Sequence, residues 1–204
     1  MGGRDVTRRR LGYLLSVAAL AVLGPALLAT TGSGSKGKRA GAVALLKSAD
    51  GRAVARVKLT ERRNGKVAVR VRARGFAPGF HGFHVHEKGL CEPPDFTTAG
   101  GHYRRGAEAH GGHAGDMPPL LVTGDGKAQL AFATDSFRIG ELVAGNGSAI
   151  VIHAGRDNLA NVPTRYHAHV PDASSTTFGP DPDTLKTGDA GSRFACGAVR
   201  ARGR

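Results

Sequence analysis

The stretch from residue 53 to residue 74 constrains the fold most. Val67, Val69, Val71 and Ala73 alternate with Arg70, Arg72 and Arg74. A period of two places one set on each face of a β-strand. Just upstream, Ala53, Ala55, Val57 and Leu59 alternate in the same way with Arg52, Arg56 and Lys58. Glu61-Arg62-Arg63-Asn64-Gly65 separates the two runs, and Asn-Gly is a strong hairpin signal. Paired strands with one dry face and one charged face point to an antiparallel sandwich or barrel. Leu120–Thr123, Lys127–Thr134 and Ser148–His153 read as further strands, the first two joined by a turn at Gly124-Asp125-Gly126. No helical run of convincing length and no internal repeat appears. With no Trp and an aromatic share of 5%, the core must be built from Val, Ala, Leu and Ile.

Two long stretches, 87–119 and 154–193, lack a strand pattern. Loops of this length in a compact domain are usually functional, and the histidines gather around them. Gly82-Phe83-His84-Val85-His86-Glu87 reads as a strand with His84 and His86 on one face and Phe83 and Val85 on the other. Two adjacent imidazoles make half of a metal site. In the strand ending at His153, Ile150 and Ile152 face one way and Val151 and His153 the other. The first loop carries His102, His110, His113 and Asp116, three imidazoles and a carboxylate, which is a full tetrahedral set for zinc. Gly111, Gly112 and Gly115 let so short a segment fold back on one ion. His81 reads as an edge residue, Arg104 and Arg105 as solvated loop charges, and His167 and His169 as solvated histidines of the second loop.

Residues 1–29 read as an export signal, with Arg4, Arg8, Arg9 and Arg10 ahead of an apolar run from Leu11 to Ala29. Thr7-Arg8-Arg9-Arg10-Leu11 resembles a twin-arginine signal, although three arginines also suit an ordinary one. An uncleaved membrane anchor is the alternative, since the run approaches the ~20 residues that span a bilayer. Residues 30–40 form a flexible Gly/Ser/Lys linker. Export implies an oxidising compartment, in which Cys91 and Cys196 can pair. The formal net charge is +13. No helix-turn-helix, RNP-like or zinc-finger spacing accompanies it, so no nucleic-acid partner is expected.

Five blocks, in order, resemble the secreted bacterial copper–zinc superoxide dismutases, with an actinobacterial cast. They are GFHVHEKGLC (Gly82–Cys91), AGGH (Ala99–His102), HAGD (His113–Asp116), SAIVIHAGRDN (Ser148–Asn158) and TGDAGSRFACGAV (Thr187–Val199). The resemblance implies an all-β, eight-stranded antiparallel Greek-key β-barrel of Ig-like sandwich architecture over residues 41–200. It implies metals outside the barrel under two long functional loops, and leaves 201–204 as a basic tail. It also implies copper on His84, His86, His102 and His153, and zinc on His102, His110, His113 and Asp116, with His102 bridging the two. Asp157 would link His84 to His110, a carboxylate on the free N–H that fixes each ring. Arg193 would guide the anionic substrate, and Cys91–Cys196 would close a loop of about 105 residues, worth roughly 4–5 kcal/mol in the chain-entropy model.

The implied activity is dismutation of superoxide outside the cytoplasm (in an extracellular, cell-wall or periplasm-like space), by a monomer or a homodimer. Only two residues separate His110 from His113, a shorter zinc loop than is usual in the family. The donor types for zinc are nevertheless complete, so zinc is expected beside copper. The alternative function is a non-enzymatic extracytoplasmic copper-binding protein on the same fold, and a third reading is an interaction module holding anionic envelope polymers on its basic face.

Overall fold

The computed structural model describes residues 40–106, 108–162, 167–168 and 177–202. The expected export signal, most of the linker, His169 and the last two residues of the tail lie outside the described residues. In chain order the elements are β1 (Gly41–Ser48), β2 (Ala53–Glu61), β3 (Val67–Arg74), β4 (Gly79–His81), β5 (Phe83–His86) and a 3-10 turn at Thr97–Ala99. Then follow β6 (Leu120–Val122), β7 (Lys127–Thr134), α1 (Ile139–Val143), β8 (Ala149–His153), β9 (His167–Ala168), β10 (Thr177–Phe178), α2 (Thr184–Thr187), β11 (Arg193–Ala198) and β12 (Arg200–Ala201).

Hydrogen-bonded neighbours run β5-β8-β11-β1-β2-β3-β7, with β12 also on β1 and a separate β4-β6 pair. All pairings are antiparallel. Strands β4 and β5 form one strand broken at Gly82, where a Cβ would stand 2.6 Å from the Ala190 side chain. Strands β11 and β12 likewise flank a single break at Val199. The β6–β7 hairpin joins the long sheet to the β4–β6 pair, with Thr123 N–H donating to the Lys127 carbonyl at 2.8 Å. Eight strands therefore circle the barrel, and the links from β3 to β4 and from β7 to β8 cross its ends, which makes a Greek key.

The alternation of β3 places Val67, Val69, Val71 and Ala73 inside and Arg70, Arg72 and Arg74 outside. Leu46, Leu59, Phe83, Val85, Leu120, Ile150 and Ile152 fill the same core, and Phe137 and Leu142 join it from the β7–β8 connection. Each large apolar side chain buried there stabilises by roughly 1.5–3 kcal/mol.

Strand β2 departs from strict alternation. Ala53 is exposed and Val54 buried, against the expected face, because Leu46 pairs with Ala55 while Lys47 pairs with Ala53. The extra residue is a β-bulge, and it shifts the inward face by one position. The second loop is also less bare than its sequence suggests, since β9, β10 and α2 lie within it. His81 is no edge residue. It is buried, with Nδ1 2.7 Å from the His153 carbonyl and Nε2 2.9 Å from the Ala77 carbonyl. Arg105 is solvent-exposed, as expected, and in addition its Nη2 donates to both Glu141 carboxylate oxygens (2.9 and 2.7 Å), a surface ion pair between the first loop and α1.

The first loop returns to the barrel at Cys91, which is disulfide-bonded to Cys196 on β11. Small apolar contacts from Phe96, Ala99, Ala149 and Val151 surround that bond. The loop is thus fixed over the outer face of β5 and β8.

Candidate metal centre

Strand geometry sends Phe83 and Val85 into the core and His84 and His86 to the outer face of β5. These two rings would be solvated if the sheet were bare. They are 0% and 1% exposed because the two loops cover them. His153 comes from β8, which pairs with β5, and lies in register with Arg193 on β11. The first loop adds single-residue bridges, His86 to His102 and His84 to Asp116. Its return is close: Gly115 N–H donates to the Tyr103 carbonyl, and a Cβ on Gly115 would stand 2.4 Å from the Val85 carbonyl oxygen. Glycine is needed here for backbone approach, whereas at Gly111 it supplies a φ of +89°.

Four of the histidines have an acceptor outside the donor set for one ring nitrogen. His84 Nε2–H donates to Asp157 Oδ2 (2.5 Å) and His110 Nε2–H to Asp157 Oδ1 (2.8 Å). His86 Nδ1–H donates to the Gly100 carbonyl and His153 Nδ1–H to the Gly191 carbonyl, both at 2.9 Å. These bonds fix the tautomers. The remaining nitrogens, His84 Nδ1, His86 Nε2, His110 Nδ1 and His153 Nε2, are buried without a hydrogen-bond partner. Buried polar atoms are rarely left so. Four inward lone pairs with no proton to meet them are the donor chemistry of a metal site.

The donor atoms fall into two groups. His84, His86, His102 and His153 bring one nitrogen each within 4.8 Å of one another, and so do His84, His102, His110 and Asp116. Around Asp116 the packing is tighter. Its Oδ1 lies 3.0 Å from His102 Nδ1, 3.4 Å from His110 Nδ1 and 3.3 Å from His113 Nδ1, and the Nδ1 atoms of His102 and His113 are 3.3 Å apart. Four ligands at ~2.0–2.1 Å on a tetrahedral ion would be separated by roughly 3.3–3.4 Å. The first-loop set therefore fits zinc in donor type and in edge length, and the two-residue spacing is no obstacle. Asp116 Oδ2 accepts from the Gly111 and His113 N–H groups (2.7 and 3.1 Å), so the carboxylate itself closes the turn. The all-imidazole group suits copper, with His84 and His102 common to both groups.

The electrostatics agree. Burial, reinforced by the neighbouring His102 and Arg193, holds His86 well below the usual imidazole range. Burial, with His84 beside it, lowers His153 to about 3. Burial also lowers His84 despite the opposing bond to Asp157, and lowers His113. These rings are neutral ligands at physiological pH. Burial disfavours the His110 imidazolium too, but bonds to Asp116 and Asp157 outweigh it and push this ring up to about 9. For both carboxylates desolvation is opposed and exceeded by bonds from the histidines, so Asp116 and Asp157 stay ionised far below their ordinary range.

Arg193 is half-buried at the edge of this cluster. Its guanidinium donates to the Phe96 carbonyl (Nη1, 2.5 Å) and to the Gly100 carbonyl (Nη2, 2.6 Å). Beside it opens a hollow of about 450 Å³, lined by Pro94, Asp95, Thr97, Gly191, Ser192 and Arg193.

Sequence reasoning missed three glycines that shape the site. The Gly100 carbonyl accepts from both His86 and Arg193, and a Cβ there would meet Glu87 at 2.6 Å. The Gly191 carbonyl orients His153. Gly188 packs directly on the His110 ring. All three lie in the motif blocks quoted above, but a backbone contact leaves no side-chain signature. His167 opens β9, and its side chain lies outside the described residues.

The barrel and the two fused histidine groups define a metalloprotein with a buried two-metal cluster under loops. Residues 53–199 match the model of the copper/zinc superoxide dismutase family, and the chain belongs to that family. It is 41% identical over 167 residues to the copper–zinc superoxide dismutase of Mycobacterium tuberculosis, covering 76% of this chain and 68% of that one. It is 30% identical to that of Caulobacter vibrioides, over 78% and 85% of the two chains. A 31% identical relative, the extracellular copper–zinc superoxide dismutase of Onchocerca volvulus, covers 61% of this chain. Among solved structures, a double mutant of a superoxide dismutase-like protein from Bacillus subtilis superposes with a TM-score of 0.58 at 29% identity, over 76% of this chain and 95% of that one.

Proposed function

We propose that this protein disproportionates superoxide into oxygen and hydrogen peroxide, with copper held by His84, His86, His102 and His153 and zinc by His102, His110, His113 and Asp116. The observation that carries this reading is the set of buried, unpartnered ring nitrogens together with two donor groups that share His84 and His102. When bound, copper supplies the one-electron redox chemistry, and zinc, which has none, supplies fixed charge.

The chain's own residues do the rest. Arg193 draws the small anion to the hollow and positions it there by charge. The carbonyls of Phe96 and Gly100 hold its guanidinium in place, so little ordering is needed when the anion arrives. Asp157 fixes the rings of His84 and His110 together, coupling the two halves of the site. His102 turns Nδ1 to the Asp116 group, which leaves Nε2 as the atom able to hold a proton and pass it to the peroxide product. The buried walls keep bulk water from His84, His86 and His153, so their neutral state persists.

The reading extends to location. Residues 1–29 act as an export signal, residues 30–40 as a linker, and the barrel works outside the cytoplasm, where the Cys91–Cys196 bond is stable. Superoxide decay followed with the copper-loaded protein, the metal-free protein and Arg193→Ala tests the function. Decay accelerated only by the loaded protein, and less by the variant at low ionic strength, supports it. Copper binding without acceleration would leave a copper carrier.

A further inference from the structure

A dense basic face lies on the far wall of the barrel from the histidine cluster. Strands β2 and β3 stand three and four places along the sheet from β8, so in an eight-stranded barrel they are about opposite it. On their outer surface Arg56 pairs directly with Arg72, and Lys58 with Arg70. Next to them Arg74 pairs with Lys127 on β7. Like charges directly opposed across a sheet destabilise it, and here three such pairs sit side by side.

The face is also hollowed. One depression of about 410 Å³ is lined by Arg56, Arg72, Arg74 and Lys127 around an apolar floor that includes Leu45 and Val54. A second, of about 740 Å³, is lined by Lys58, Arg62, Arg63, Arg70 and Arg202. No carboxylate lines either one. Among the described residues, Asp50, Asp135, Glu141 and Asp183 pair with Arg52, Lys66, Arg105 and Lys186, and only Asp125 reaches this face, at Lys127. The other cations of the two hollows have no acidic partner within the described chain.

Steering of superoxide does not require this arrangement, because the charges lie on the wall remote from the Arg193 hollow and are stacked against one another. We infer that the β2–β3 face is a docking surface for an extended, phosphate-bearing polyanion. Guanidinium forks match phosphate oxygens in a bidentate manner, and seven of the nine cations lining the two hollows are arginines. Two consecutive recesses accept a chain lying along the strands, whereas a flat headgroup layer would meet only their rims. The occupant is thus a linear polymer with repeating phosphates. Its negative charge offsets the opposed arginines and keeps the enzyme where it binds.

The test uses the full, metal-loaded protein and linear inorganic polyphosphate, with binding followed over a range of salt. The face variant is Arg70→Glu with Arg72→Glu, which turns two repulsive cross-strand pairs into attractive ones. The control is Lys88→Glu with Lys186→Glu, the same change of net charge placed off this face. The wild type and the control should bind polyphosphate with a steep salt dependence. The face variant should bind at least about tenfold more weakly, with a logarithmic salt slope lower by about two, one for each lost arginine contact, and should melt no lower than the wild type. Equal weakening in both variants would reduce the effect to net charge and overturn the proposal. So would absence of polyphosphate binding by the wild type, or capture by vesicles of anionic phospholipid with no binding to polyphosphate.

Discussion

Asp157→Asn separates the two halves of the metal site more cleanly than any ligand substitution. In the structure three N–H groups converge on this carboxylate: His84 Nε2 on Oδ2, and His110 Nε2 and the Leu159 amide on Oδ1, at 2.5, 2.8 and 2.6 Å. The side chain is 3% exposed, so water cannot replace a lost partner. An amide is the same size but has one acceptor oxygen, and its NH2 must then face an imidazole N–H or the Leu159 amide. To escape, a ring must rotate away or take the other tautomer, which puts a proton where the inward lone pair was. His84 is held on β5 between β8 and the loops. His110 sits on the glycine-rich loop, held otherwise by its backbone bond to the Leu185 carbonyl and by its contact with Asp116, itself a member of that loop. The loop is therefore the part that yields. Loss of such a supporting carboxylate typically costs 10–100-fold in metal affinity, or about 1.4–2.7 kcal/mol. Zinc competition against a chromogenic chelator, on copper-loaded protein, should show a zinc affinity about 10–100-fold weaker with copper retained. A variant with wild-type zinc affinity would refute the claim that Asp157 orients His110.

Three further outcomes follow from the geometry. Gly188→Ala should displace His110, because its Cβ would lie 2.2 Å from Nε2 at a φ of +62°; zinc uptake should fall while copper uptake is unchanged, and normal zinc stoichiometry would show that the contact is easily relieved. Arg193→Ala should lower turnover and flatten its dependence on ionic strength without changing the melting temperature by more than a few degrees; unchanged turnover at low salt would remove its role in attracting the anion. For the metal-free protein, the folded-state value of His153 is about 3 against about 6.5 unfolded, so its contribution is complete above pH ~6.5 and is lost as pH falls toward 3, by roughly 5 kcal/mol at most; His110, raised to about 9, acts oppositely, with stability present below pH ~6.5 and lost as pH rises through 9. Urea unfolding of the metal-free protein from pH 4 to pH 10 should show a maximum between those limits, and a flat profile would contradict the burial of His153 and the carboxylate bonds of His110.

The fold was legible wherever one residue choice answered to one face. The β3 alternation predicted its own buried and exposed sets because that strand has no bulge. In β2 the same rule failed at Ala53 and Val54, since a bulge depends on the partner strand, Gly41–Ser48, and leaves no mark in the bulged sequence itself. The histidines could be found because metal donors are rare residue types at informative spacings. What the spacing left open was whether so short a loop could close on zinc, and the closure comes from Asp116 Oδ2 gathering two backbone N–H groups, which no motif encodes. The surface partner of Arg105 was hidden for a similar reason. That partner, Glu141, is 36 residues away on a helix of five residues, too short to carry a periodic signal. The supporting carbonyls of Gly100 and Gly191 were invisible because any residue type has a carbonyl, and only the folded backbone decides which of them faces a ring.

The central claim is that the four-histidine group is a working copper centre. Its most direct test is the rate of superoxide decay, followed by pulse radiolysis, as copper is titrated into metal-free protein that has been given zinc. The account predicts that the catalysed rate rises linearly with copper and breaks at one equivalent per chain, and that His86→Ala, which removes one unpartnered inward nitrogen, abolishes the rise. Copper taken up to the same endpoint with no increase in rate would contradict it.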